Sequence, residues 1–91
     1  MVRSQDDWPE WWEWDLDLSL DHLRDQMVRR KFSETELRDM LEQATGFCED
    51  DEVGRWLVQT TRNGKTWAVI VEPQPRDRSL LVITAYMIEQ M

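Results

Sequence analysis

The sequence is 91 residues long, 41% hydrophobic and 33% charged, with a net charge of −8. That length holds one domain with a modest core, and the balance suits a folded chain rather than a disordered one. No apolar run approaches a membrane span, and the acidic start MVRSQDDWPEWW lacks the basic-then-apolar layout of a secretory signal, so the expectation is a cytoplasmic protein with no membrane attachment. Cys48 is the one cysteine and His22 the one histidine. An internal disulfide is therefore excluded, a zinc site of the usual four ligands is not expected, and no cofactor motif appears. The acidic excess is local. Residues 1–25 hold eight acids against Arg3 and Arg24, whereas residues 26–91 hold eleven acids against nine bases. This charge disfavours loose nucleic-acid binding by the whole surface while leaving room for a local basic site.

The chain opens on an acidic arm, residues 1–17, that carries Trp8, Trp11, Trp12 and Trp14. From Trp12 the pattern alternates, with Trp12, Trp14, Leu16 and Leu18 set against Glu13, Asp15 and Asp17. Period two predicts an edge strand with one buried face, and a partner-binding tail is the alternative. The remaining residues, 18–91, form the main domain. Ser19 offers an N-cap for a helix to Lys31, with Leu20, Leu23 and Met27 as its buried stripe and Arg29 and Arg30 in its last turn. A second helix starts at Ser33, where Ser33 and Glu36 make a capping box. Leu37, Met40, Leu41 and Ala44 are its apolar positions, and Gly46 is its expected stop.

The rest reads as strands. RWLVQTTR and KTWAVIVE flank Asn63-Gly64, a strong hairpin signal, EPQPRDR is a turn-rich connection, and LLVITAYMI is the last strand. The order strand, helix, helix, strands predicts an α+β fold with the helices on one face of an antiparallel sheet. On the last strand, Leu81, Ile83, Ala85 and Met87 are wholly apolar and are expected to face the helices. Thr84 and Tyr86 share the other face, either as ordinary strand residues or as groups that hold a phosphate or a base.

The first helix carries the chemistry. At about 100° per residue, with Leu20 at zero, Leu23 falls near ~300° and Met27 near ~340°. His22 then lies near ~200°, Gln26 near ~240° and Arg30 near ~280°, a polar row that runs from the solvent face to the edge of the buried stripe. Such a row is ordinarily a solvated face. It also has a chemical use: imidazole transfers protons near neutral pH, and guanidinium holds phosphate bidentately. RNA supplies its own nucleophile in the 2′-hydroxyl, so its cleavage needs no metal.

The block Ser19-x-x-His22-x-x-x-Gln26-Met27-x-x-Arg30-x-Phe32-Ser33, with the later strand ending Thr84-x-Tyr86, resembles small bacterial toxins of the RelE/BrnT type. These belong to the barnase–RelE-like ribonucleases of toxin–antitoxin modules. The resemblance implies a RelE-like helix-and-sheet fold that cleaves RNA without metal and is held by an antitoxin protein. It also implies His22, Arg30 and Tyr86 as catalytic residues, with Gln26, Arg29 and Thr84 binding substrate. Arg62 and Lys65, flanking the hairpin turn, are candidates to steer the RNA strand. Gln26 departs from the arginine common at its place, the acidic balance departs from such basic toxins, and the tryptophan arm lies outside the match. A non-catalytic interaction or regulatory module on the same fold is the alternative expectation. A small-molecule enzyme has no motif in its favour.

Overall fold

The computed structural model describes residues 9–88. Pro9 leads into a 3-10 turn, Glu10–Glu13, which is followed by β1, Asp15–Asp17. Helices α1, Asp21–Arg30, and α2, Glu34–Glu42, come next. Four strands complete the chain: β2, Gly46–Glu49; β3, Trp56–Arg62; β4, Lys65–Gln74; and β5, Ser79–Met87. The sheet order is β1-β5-β4-β3-β2. The pairs from β2 to β5 are antiparallel, as expected, but β1 lies parallel to β5, which makes the sheet mixed. The α+β class holds. α1 packs on β5 and α2 on β3, and both helices share one core with the sheet.

The predicted strand from Trp12 is shortened to β1 by the turn before it. The Trp12 amide reaches the Pro9 carbonyl at 3.1 Å, and the Trp14 amide reaches Trp11 at the same distance. This curl carries Trp11 onto Phe47 and Trp56, with ring centroids 5.9 and 5.7 Å apart. Residues 9–17 thus pack on the domain. The acidic residues 1–8, with Trp8, lie outside the described residues.

Ser19 does not cap α1. Its amide donates instead to Asp17 Oδ1 at 3.0 Å, and Leu20 takes the N-cap position without a side-chain bond. Leu23 and Met27 are buried as the spacing requires, and Leu20 is half-buried. The helix ends on Lys31 in the left-handed region, φ 56°, with the Phe32 amide returning to the Met27 carbonyl at 3.1 Å. This closure satisfies a terminal carbonyl and turns the chain into α2 within three residues. There the capping box forms as read: Ser33 Oγ accepts from the Glu36 amide at 3.1 Å, and Glu36 Oε1 accepts from the Ser33 amide at 3.0 Å. Gly46 is not the helix stop. α2 ends at Glu42 with Gln43 as its C-cap, and Gly46 opens β2, an edge strand whose four residues are too few to show a period.

At the hairpin, Asn63 and Gly64 take φ of 53° and 76° and join β3 to β4 with Arg62 opposite Lys65. Two consecutive left-handed residues give a turn whose twist matches its strands. On β5 the expected faces are corrected by a bulge. Val71 pairs with Val82, yet its neighbour Ile70 pairs with Thr84, so Ile83 is an extra residue. The alternation changes phase there. Leu80, Val82 and Ala85 are all core residues, whereas Leu81 and Ile83 are half-buried and Met87 is exposed. Thr84 and Tyr86, opposite Ile70 and Ala68, leave the face that Leu80 and Val82 occupy.

Candidate functional site

The bulge and the short β1 leave one strand edge uncovered. β1 pairs only with Ser79–Leu81, and among the described residues no strand lies beside Val82–Met87 on that side. The α1 polar row meets β5 there. Arg30 Nη1 donates to the Ala85 carbonyl, and the Thr84 hydroxyl donates to Gln26 Oε1. Gln26 Nε2 lies 3.1 Å from His22 Nε2, which joins the histidine to the strand through one amide. Arg30 and Tyr86 line one cleft of about 370 Å³ with Trp67 and Met87. Thus α1 and β5, far apart in sequence, meet along a seam that joins His22, Gln26 and Thr84 by hydrogen bonds and brings Arg30 and Tyr86 to one cleft, which His22 does not line.

The seam is open and cationic at one end. His22 is exposed, and Gln26 is half-buried. Arg30 makes no ion pair among the described residues, and its one hydrogen-bond partner is an uncharged carbonyl. No carboxylate offsets this guanidinium among the described residues, and it has donors besides the one given to Ala85. Tyr86 offers a ring and a hydroxyl beside it. Chemically, a guanidinium can hold an anion, a phenol ring can stack and donate a hydrogen bond, and an imidazole can exchange a proton.

The other three predicted residues lie elsewhere. Arg29 is turned to solvent and pairs with Asp25 at 3.1 Å, one turn back on the same helix. Lys65 is exposed at the base of the hairpin turn. Arg62 is committed to the helix junction. Its Nη2 donates to the Lys31 carbonyl at 3.1 Å and to Glu36 Oε2 at 2.8 Å, and its guanidinium carbon lies 5.5 Å from the Trp67 ring centroid. The Arg62 hydrogen bond, then the Ser33 amide, holds the Glu36 carboxyl below the usual carboxylate range. Arg62 therefore pins the α1–α2 turn to the sheet, and its partners lie too far along the sequence for any local spacing to reveal.

Among the described residues no group of three or more His, Cys, Asp and Glu side chains is placed to hold a metal ion. No described helix is long and apolar enough to cross a membrane.

The fold and seam define a small α+β domain whose polar helix row meets an unpaired strand edge. Residues 20–87 match the model of the family described as a domain of unknown function, DUF4258, and the chain belongs to that family. The match begins at Leu20 and ends at Met87, so it takes in both sides of the seam. No curated protein and no solved structure matches the chain.

Proposed function

We propose that this protein is a metal-independent ribonuclease of the RelE-like toxin kind, acting in the bacterial cytoplasm and held in check by an antitoxin protein. One observation carries the reading: Arg30, free of any carboxylate among the described residues, shares a cleft with Tyr86 on the same seam as His22. RNA laid along the seam binds a phosphate at Arg30 and stacks a base on Tyr86. His22 stands about 12 Å along the helix from Arg30, at about 1.5 Å per residue, and so acts at a different phosphate of the same strand. There the imidazole accepts the 2′-hydroxyl proton as the 2′-oxygen bonds to phosphorus. The bond from phosphorus to the 5′-oxygen breaks, water protonates the leaving oxygen, and a 2′,3′-cyclic phosphate remains.

The test is incubation of the purified protein with an oligoribonucleotide and a chelator, beside His22→Ala and Arg30→Ala. The expected result is cyclic-phosphate product from the wild type, none from His22→Ala, and weakened binding by Arg30→Ala. Growth arrest on expression should follow the same order. Absence of cleavage by the wild type refutes the catalytic reading. A second reading, a non-catalytic RNA- or protein-binding module, is favoured by the Gln26 amide standing against His22 Nε2. Binding without cleavage, unchanged by His22→Ala, selects it.

A further inference from the structure

We propose that Gln26 and Thr84 are positioning residues that decide which ring nitrogen of His22 carries the proton. The catalytic meaning of this assignment rests on the ribonuclease reading above, but the assignment itself is a statement about hydrogen bonds. His22 Nε2 faces the Gln26 amide nitrogen at 3.1 Å, and Gln26 Oε1 accepts from the Thr84 hydroxyl. An amide nitrogen can only donate. In this arrangement Nε2 accepts, so neutral His22 bears its proton on Nδ1 and its one acceptor nitrogen is engaged by the Gln26 amide.

Rotating the Gln26 amide gives a second complete pattern. Oε1 then accepts from a protonated Nε2, and the amide nitrogen donates to Thr84 Oγ1. Thr84 separates the two in energy. It is half-buried, and among the described residues Gln26 is the one partner of its hydroxyl. In the rotated pattern the hydroxyl hydrogen has no protein acceptor, and an unmet donor in a partly desolvated place is costly. The strand hydroxyl thus holds the amide, and the amide holds the ring with its acceptor toward the seam.

Since His22 is the one histidine, ring-nitrogen NMR of the labelled full-length chain reads this side chain alone. At a pH where the ring is neutral, the wild type is expected mainly as the Nδ1–H form. Thr84→Val should shift the tautomer ratio toward Nε2–H by about fivefold, the factor corresponding to one net hydrogen bond of about 1 kcal/mol. Thr84→Ser should restore the wild-type ratio. Gln26→Glu should invert it, since a carboxylate only accepts and so favours Nε2–H. Should Thr84→Val fail to fold, Gln26→Glu and the wild-type ratio decide the matter between them. A wild-type ring mainly in the Nε2–H form, or a ratio unmoved by both variants, overturns the assignment. An Nδ1–H ring in a protein that cleaves no RNA refutes the ribonuclease reading and leaves this assignment standing. An Nε2–H ring in an active nuclease does the reverse.

Discussion

Arg30 is the residue at which binding and folding contributions can be separated by number. Its side chain holds the Ala85 carbonyl on the uncovered edge of β5 and lines the cleft with Tyr86. Arg30→Ala removes both the tie and the charge, whereas Arg30→Lys keeps the charge and gives up the planar fork. A charge-assisted hydrogen bond contributes about 1.5–3 kcal/mol, so Arg30→Ala should weaken binding of a short single-stranded RNA by about 10- to 150-fold. Loss of one phosphate contact should also lower the slope of log affinity against log salt by about 0.7. Arg30→Lys should restore most of that slope but only part of the affinity, because the ammonium lacks the planar fork that holds a phosphate bidentately. The assay is fluorescence anisotropy of a labelled oligoribonucleotide across a salt series, at a temperature where circular dichroism shows all three proteins folded. An Arg30→Ala protein with wild-type affinity and slope refutes the phosphate site. So does a protein that loses affinity with no change of slope, since the loss then arises from altered shape rather than charge.

Two further predictions concern the frame that holds the seam. Thr60 is fully buried on β3 and donates its hydroxyl to the Met40 carbonyl near the end of α2. Thr60→Val should therefore cost about 1–3 kcal/mol, seen as a lower urea midpoint with an unchanged slope, and a stability equal to wild type refutes the role of this bond. For Glu36, the folded carboxyl lies below its ordinary value because it accepts first from Arg62 and then from the Ser33 amide. Its contribution is complete above the usual carboxylate range and is lost as pH falls through that range to the lowered folded value. Glu36→Gln should flatten this part of the stability–pH curve in urea titrations from neutral to acid pH. A curve of the same slope in both proteins places the acid sensitivity elsewhere.

Local chemistry was legible in the sequence where both partners lie within one turn. The Ser33–Glu36 box and the Asn63-Gly64 hairpin need only neighbours three residues apart or closer, and both form as read. The polar row of α1 follows from helical angles alone: His22 meets Gln26 along the helix, Gln26 meets Thr84, and Arg30 meets Ala85. Residues with distant partners carry no local signal. Arg62 stands beside a turn in the sequence, and its partners Lys31 and Glu36 are 31 and 26 residues away. Ser19 has a capping side chain, but Leu20 takes the N-cap position and α1 begins at Asp21, one residue later than a Ser19 cap would set it. The parallel pairing of β1 with β5 joins Asp15 to Ser79 and has no local signature.

The extra residue Ile83 links the sequence pattern to the seam. Strict alternation along β5 would place Leu80, Val82, Thr84 and Tyr86 on one face. Leu80 and Val82 are buried under the helices, so Thr84 and Tyr86 would have to bring two hydroxyls into that core. Burying them without partners costs more than the ladder irregularity that avoids it. The bulge instead returns Ala85 to the core, and its small side chain allows α1 to lie close on the strand. Close approach is what lets Arg30 reach a backbone carbonyl and Gln26 reach the Thr84 hydroxyl. A one-residue deletion at Ile83 would therefore change the side of every residue after it, whereas a conservative exchange there would not. The seam thus depends on the residue count between Val82 and Thr84 more than on the chemistry of the residue that supplies it.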